Sequence, residues 1–276
     1  MKCAIQIKGW QLTVLMLSVF GMSHNGYAND LVAQTIGKAF DLKSDEPLYS
    51  ETHCLSSDAL AREVIYRNID GQLIAHKILS YKSGPTTPSF VQRNYYSQES
   101  IEVELTQDTL TMTIRDEKSA GPGKVVSAQP GANLPVVIDA GFDEFVTRNW
   151  DSLVAGENKS FQFPLAARAS LVELRIKPTS CTYASETDQC FRLELNNWFL
   201  RMLAAPIELG YDAKLKRLTR YRGLSNIGDG KGEGLVVDIH YSYQDIPAET
   251  CAVNDLELTG KTAGLALPQL ASRQQL

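Results

Sequence analysis

Ser100 to Glu117 reads SIEVELTQDTLTMTIRDE, and this stretch decides the fold. Ile101, Val103 and Leu105 alternate with Glu102 and Glu104, and then Leu110, Met112 and Ile114 alternate with Thr109, Thr111 and Thr113. A period of two, apolar on one side and polar on the other, is what antiparallel strands with one wet face require. Upstream, REVIYRN and LIAHKILSYKSG flank Ile69-Asp70-Gly71-Gln72, and Asp-Gly between β-rich runs predicts a hairpin. In the second of these runs Leu73, Ala75, Lys77, Leu79 and Tyr81 share a face opposite Ile74, His76, Ile78 and Ser80. Downstream the strand-like runs are KSFQFP, ASLVELRIK, CFRLELN, PIELGYD, LKRLTRYRG and GLVVDIHYSY. The expectation is a mainly β chain: one curved antiparallel meander, an open sheet or half-barrel of about nine to eleven strands, without the regular lipid-facing alternation of an outer-membrane barrel.

One segment breaks the β pattern. Val136 to Gly156 reads VVIDAGFDEFVTRNWDSLVAG. Phe142, Phe145, Val146, Trp150 and Leu153 recur at spacings of three and four, predicting an amphipathic helix over 140–154. Asp139 stands at the N-cap position and Gly156 just past the end. Asp143, Glu144, Thr147, Arg148 and Asp151 fall on the remaining face, and Glu144 and Arg148 are spaced for an i,i+4 ion pair. The acids are therefore expected to face water, whereas catalysis would call for a carboxyl displaced from its ordinary pKa. Three large aromatics on so short a helix predict that it plugs the concave face of the sheet.

The chain of 276 residues opens MKCAIQIKGWQLTVLMLSVFGMSHNGYAND. Two lysines, an apolar run over Trp10 to Met22 and Gly26-Tyr27-Ala28 predict a signal peptide over 1–28, cut after Ala28; the run is shorter than the roughly 20 residues a membrane-spanning helix needs. Residues 29–60 are weakly patterned and read as an N-terminal extension, 61–245 as the β-sheet domain, and 246–276 as a C-terminal tail. Past Ala28 there remain 25 basic against 32 acidic residues, a net of −7. That balance excludes nucleic acid as a partner and offers no polybasic patch to an anionic membrane. Four cysteines remain, Cys54, Cys181, Cys190 and Cys251. In an exported chain these read as disulfides. Of three possible pairings, Cys181–Cys190 across a short polar loop with Cys54–Cys251 is favoured, the latter tying the tail to the domain; close pairs of the C-x-x-C kind that zinc sites use are absent.

Chemistry-bearing motifs are few. GLSNIG has one residue too many for a nucleophile elbow. His53, His76 and His240 each stand alone. Gly228 to Gly234, GDGKGEG, lies between strand-like runs instead of leading into a helix, so it reads as a hairpin tip and not a phosphate loop. Lys214, Lys216, Arg217, Arg220 and Arg222 form the one basic concentration; read as a strand it gives a stripe for an anionic head group, or an outer face paired with acids on neighbouring strands. Asn197 to Pro206, NWFLRMLAAP, carries Trp198 and Phe199 and reads as core packing. No metal or other cofactor is called for.

The order of parts (leader, strand meander, mid-chain VIDAGFDEFVTRNWDSLVAG, then FQFP and IELGYDAKLKRLTRYRG) resembles secreted β-sheet proteins of Gram-negative bacteria known only as a domain of unknown function. More distantly it resembles the periplasmic lipoprotein carriers, whose curved sheet is closed by helices over an apolar cavity. The likeness spans about Ala61 to Tyr243 and has no diagnostic motif. Together these readings predict a soluble periplasmic protein that is not an enzyme. It would bind an apolar or amphipathic ligand, a lipid or a lipidated protein, through Phe142, Phe145 and Trp150, with Arg220 and Arg222 for the head group. The alternatives are an envelope scaffold without a cavity, and a hydrolase whose acids meet only in space.

Overall fold

In the computed structural model the described residues are 31–246, apart from 57, 119–120, 200, 202–204 and 229–233. The expected leader, the tail beyond Ile246 and Cys251 lie outside them. In chain order the elements are β1 (Leu31–Asp41), β2 (Pro47–Ser56), β3 (Ala61–Asn68), β4 (Leu73–Ser80), β5 (Ser89–Asn94), β6 (Glu99–Thr106), β7 (Thr109–Asp116), β8 (Lys124–Ala128), α1 (Gly141–Arg148), α2 (Trp150–Val154), β9 (Lys159–Leu165), β10 (Ser170–Thr179), β11 (Asp188–Leu195), β12 (Ile207–Asp212), β13 (Arg217–Gly228) and β14 (Gly234–Ile246). A 3₁₀ turn, Ala166–Arg168, joins β9 to β10.

All strands lie in one 14-stranded sheet ordered β8-β7-β6-β5-β4-β3-β2-β1-β14-β13-β12-β11-β10-β9, antiparallel throughout. From β1, in the middle of the sheet, the chain meanders to one edge, crosses through the helices to the other edge and returns to pair β14 with β1. Fourteen strands correct the expected nine to eleven. Two of those unforeseen strands fill the expected N-terminal extension: β1 and β2 occupy 31–56 and sit at the centre of the sheet. Their inward side chains include Gly37, Glu51 and His53, so no apolar alternation announces them. The hairpin expected at Asp70-Gly71 forms, with Gly71 at φ +79°, the left-handed backbone a tight turn needs.

The sheet is open but rolled. Gln92 Nε2 on β5 donates to the Asn226 carbonyl of β13 over 3.0 Å, although these strands are six places apart in the sheet. In a flat sheet they would stand about 29 Å apart, at about 4.8 Å per strand. The Tyr49 and Ser225 hydroxyls, at 2.7 Å, make a second such tie.

Rolling creates a concave face that must be filled, and two apolar clusters fill it. One gathers Tyr49, Val64, Tyr66, Leu79, Val103, Met112 and Ile239. The other packs Phe145, Val146, Trp150 and Leu153 of the helices against Phe161, Ile176, Phe191, Leu209 and Tyr211 of β9 to β12. The single expected helix is two short ones, broken at Asn149, whose side chain donates to the Phe145 carbonyl over 2.8 Å. Gly156 at φ +99° ends the segment as expected. The free edge of β9 is covered by the chain's own approach to the helices. Gln162 N–H donates to Pro135, Val137 N–H donates to Gln162, and the Gln162 side chain donates to Gly131 and Leu134. Cys181 and Cys190 are bonded. Cys54 is also a disulfide half, and its partner lies outside the described residues.

Gly141 seats the first helix. A side-chain carbon there would run into the Thr86 carbonyl and come within 2.8 Å of Pro88 Cδ. Gly141→Ala gains helix propensity, but overpacking against backbone outweighs it. Net destabilisation of about 1–3 kcal/mol is expected, measured as a fall in urea midpoint at unchanged slope.

Candidate functional site

Antiparallel register decides which side chains share the concave face. Gly37 opposes both Glu51 and Tyr241, Glu51 opposes Tyr66, His53 opposes Val64, Val64 opposes Lys77, and Lys77 opposes Gln92. Six neighbouring strands, β14, β1 and β2 to β5, thus bring Glu51, His53, Tyr66, Lys77, Gln92 and Tyr241 onto one inward surface where apolar residues are the rule. Glu51, Lys77 and Gln92 are all buried.

Glu51 and Lys77 each have a charged partner, as burial demands. Lys77 Nζ lies 2.7 Å from Asp139 Oδ2 and 5.2 Å from the centre of the Phe90 ring. Asp139 holds a left-handed backbone at φ +43°, and its Oδ1 accepts from the Ala140 N–H over 2.8 Å. Asp139 was expected as the N-cap of the helix. That place belongs to Ala140, and the Asp139 carboxylate instead ties the helix entrance to the sheet. Glu51 accepts from His53 Nε2 at 3.1 Å. Burial pushes its carboxyl up, but hydrogen bonds from His53 and Tyr241 and the charges of His53 and Lys77 outweigh this and hold it below the ordinary range. Gly37 makes room for the pair: a Cβ there would stand 2.6 Å from Glu51 Cγ and 2.9 Å from Tyr241 Cε1.

Asp143 departs from its expected exposure. Its Oδ1 is buried without a hydrogen bond, and burial raises the carboxyl above its ordinary value. The Tyr211 hydroxyl faces it closely enough to exert an effect on its titration, yet neither atom completes a hydrogen bond of normal geometry. Glu144 does pair with Arg148, at 2.7 Å, and Asp151 is exposed.

The residues expected to hold a ligand are not brought together. Phe145 and Trp150 are buried in the second apolar cluster, where Phe145 packs on Phe161 at 4.8 Å and Trp150 on Phe191 at 5.6 Å; Phe142 lies beside Phe161 at 5.7 Å. Arg220 and Arg222 project from the opposite, outer face. Arg220 binds both oxygens of Asp238, at 2.7 and 2.8 Å, and Arg222 pairs with Asp238 at 3.0 Å and Glu208 at 3.2 Å. Arg192, Arg175, Lys177 and Arg201 continue this ladder on Glu208 and Glu194. The stripe itself is shorter than expected: β13 starts at Arg217, and Lys214 and Lys216 stand in the turn before it. Trp198 and Phe199 correct another expectation: they are 69 % and 54 % exposed and stack edge-on at 5.9 Å.

His76 and Glu63 form a 2.5 Å pair on the outer face of β3 and β4. Among the described residues no group of three His, Cys, Asp or Glu is arranged to hold a metal, and no serine, threonine or cysteine is hydrogen-bonded to His53. No helix among them is long and apolar enough to cross a membrane. The polar interior escaped the sequence reading because its members lie on five separate strands and one loop. One signal was present: Lys77 falls on the face of β4 that otherwise carries Ala75, Leu79 and Tyr81.

No protein-family model and no curated protein matches the chain. Among solved structures it is similar to the beta-barrel-like protein of Domain of Unknown Function DUF1849 from Brucella abortus, at 7% sequence identity and a TM-score of 0.47, over 79% of this chain and 100% of that one.

Two variants probe the interior. Lys77→Met leaves the partly buried Asp139 carboxylate without its cation and is expected to cost about 1–3 kcal/mol, whereas the double variant with Asp139→Asn costs less; chemical denaturation of the three proteins compares them. The folded-state pKa of Asp143 lies above its unfolded value, so its contribution is fully present at low pH and is lost as pH rises through the folded pKa. Asp143→Asn is therefore expected to raise stability relative to the parent on the alkaline side of that titration and not on the acid side, read from thermal midpoints across pH 3–8.

Proposed function

We propose that this is an exported, non-enzymatic protein of the bacterial envelope that binds an amphipathic, lipid-like ligand in the interior of its rolled sheet. The observation that carries the reading is the composition of that interior: a patch of buried charged and hydroxyl-bearing side chains between two apolar clusters. A sheet that only had to be stable would do as well with apolar residues there, since replacing a buried ion pair by packed hydrophobes is often neutral or stabilising. An amphipathic molecule is the chemical complement of such a surface. Burying its chain contributes about 0.8 kcal/mol per CH₂, and its polar end meets partners already desolvated. The Cys181–Cys190 bridge fits export, since disulfides persist in oxidising compartments.

A second reading rests on Trp198 and Phe199. Two large aromatics exposed side by side suit docking to another envelope protein, and the helices already packed into the concave face favour a scaffold over a carrier.

Native mass spectrometry of the mature protein from an envelope extract, followed by solvent extraction, separates the two. A stoichiometric co-purifying lipid is expected. A clean apo mass, with no uptake of added fatty acid or phospholipid, would sink the carrier reading and leave the docking one.

A further inference from the structure

We infer that the loop after β11, with the cations of β10 beside it, is a docking surface for an anionic lipid bilayer, whether or not the interior holds a ligand. Trp198 and Phe199 of that loop are largely exposed, their rings edge-on at 5.9 Å. Hydrogen bonds fix the backbone that presents them. Phe199 N–H donates to Asn197 Oδ1 over 2.9 Å, Arg201 N–H to the Asn197 carbonyl over 3.1 Å, and Asn196 N–H to the Glu173 carbonyl of β10 over 2.8 Å. The Arg201 side chain leads from this loop to the charges. Its Nη1 donates to the Asn196 carbonyl over 3.4 Å and lies 3.5 Å from Glu194 Oε1. Lys177 Nζ lies 3.1 Å from the same oxygen, and Arg175 pairs with it too. One carboxylate therefore serves three cations. It is also the most buried of the four groups, 11 % exposed against 24–32 % for the cations, so this surface presents positive charge to water. Lys177 stands directly across from Arg192 of β11, and like charges so opposed are destabilising. Glu173, the other acid at this place, accepts from Asn196 Nδ2 over 3.2 Å, and the cations still outnumber the acids.

Rings and cations ask for the same partner. A tryptophan ring is apolar with a polar N–H, the combination that settles at the head-group level of a bilayer. Lys and Arg held against an anionic lipid surface contribute about 1 kcal/mol each. The net charge past Ala28 is −7, so the protein as a whole is not drawn to such a surface. Screening over about 8 Å confines the interaction to the groups that lie against the lipid, and there the sign is positive. A protein partner fits less well, because the aromatic centre of a protein interface is depleted of charge, whereas here cations adjoin the same loop. Lipid phosphates also supply the counter-charge that Lys177 and Arg192 lack between them. Two rings and a few cations give reversible, salt-sensitive docking and not insertion.

Co-sedimentation of the mature protein with vesicles tests this surface, using phosphatidylethanolamine with phosphatidylglycerol against phosphatidylcholine alone. Past Ala28 the tryptophans are Trp150 and Trp198, and Trp150 is buried, so a blue shift of emission on binding reports Trp198. Binding to the anionic vesicles is expected, with that blue shift and with release by high salt, and little binding to phosphatidylcholine. Trp198→Ala should weaken it about tenfold and Lys177→Gln about fivefold. Arg67→Gln, which removes an exposed cation of β3, should leave it unchanged. Circular-dichroism melting confirms that the variants fold. Equal binding to both vesicle types, or binding to the anionic ones that neither Trp198→Ala nor Lys177→Gln weakens, would overturn the inference. Failure to bind either type would overturn it too and leave the exposed pair to a protein partner. The readout is protein on the vesicle and not lipid in the protein, so either failure leaves the ligand-binding reading standing.

Discussion

The pairing of the first strand with the last holds the molecule together. β1 and β14 run side by side from Ala33 against Ile246 to Asp41 against Val237, and this is the strand pairing that makes one sheet of the eight strands on one side and the six on the other. Every other pairing in the sheet is a hairpin between chain neighbours and costs little loop-closure entropy. The β1–β14 pairing closes a loop of about 200 residues, so the halves can form locally while the sheet completes only when its most non-local contact does. Slow, topology-limited folding is the physical consequence. The two rim edges are then dealt with separately. The β9 edge is taken up by Pro135, Val137 and the side chain of Gln162, while β8 is kept to five residues and starts at Lys124, both recognised ways to discourage edge-to-edge association.

Rolling a sheet this long leaves an interior wider than the side chains of one face can fill. The chain solves the problem differently on the two sides of the β1–β14 seam. Beneath β9 to β12 it inserts the helices, and aromatic rings from both layers interlock. Beneath β2 to β5 it combines apolar packing with Glu51, His53, Lys77 and Gln92. The loop leading into α1 belongs to both solutions, because Asp139 reaches Lys77 two residues before the helix begins. A non-glycine residue held at positive φ costs of order 1–3 kcal/mol, less for aspartate than for most residues. The ion pair and the Ala140 hydrogen bond are what over-determine that conformation.

How much of this the sequence shows depends on which faces are apolar. β6 and β7 announce themselves, since their inward residues are Ile, Val, Leu and Met, and β3 and β4 do so through the Asp-Gly turn that joins two β-rich runs. β1, β2 and β5 do not, because Gly37, Glu51, His53 and Gln92 stand where the pattern wants hydrophobes. β8 is hidden by its length and exposure within a Gly- and Pro-rich stretch. The helical periodicity of Phe142, Phe145, Trp150 and Leu153 placed Phe145, Trp150 and Leu153 in the core with Phe142 packed beside them, but gave no hint that Asn149 would break the helix by turning its amide onto the Phe145 carbonyl. The candidate site is the least legible part. Glu51, Tyr66, Lys77, Gln92 and Tyr241 come from five strands and Asp139 from a loop, and nothing in their spacing joins them.

Charge carries opposite meanings on the two faces, and composition cannot tell them apart. The Arg and Glu residues of β10 to β14 form a half-exposed ladder in which Glu194, Glu208 and Asp238 each meet more than one cation. Such pairs are worth about 0–1 kcal/mol each and weaken with salt. They let the outer face of a long sheet stay polar with both signs interspersed, and they use up the cations that the sequence offered for a head group. Inside, fewer charges have larger consequences, because an unpaired group there costs several kcal/mol. Glu51 and Lys77 meet that requirement with partners from the chain itself. Asp143, whose Oδ1 completes no hydrogen bond of normal geometry, meets it least well, and burial pushes its carboxyl up.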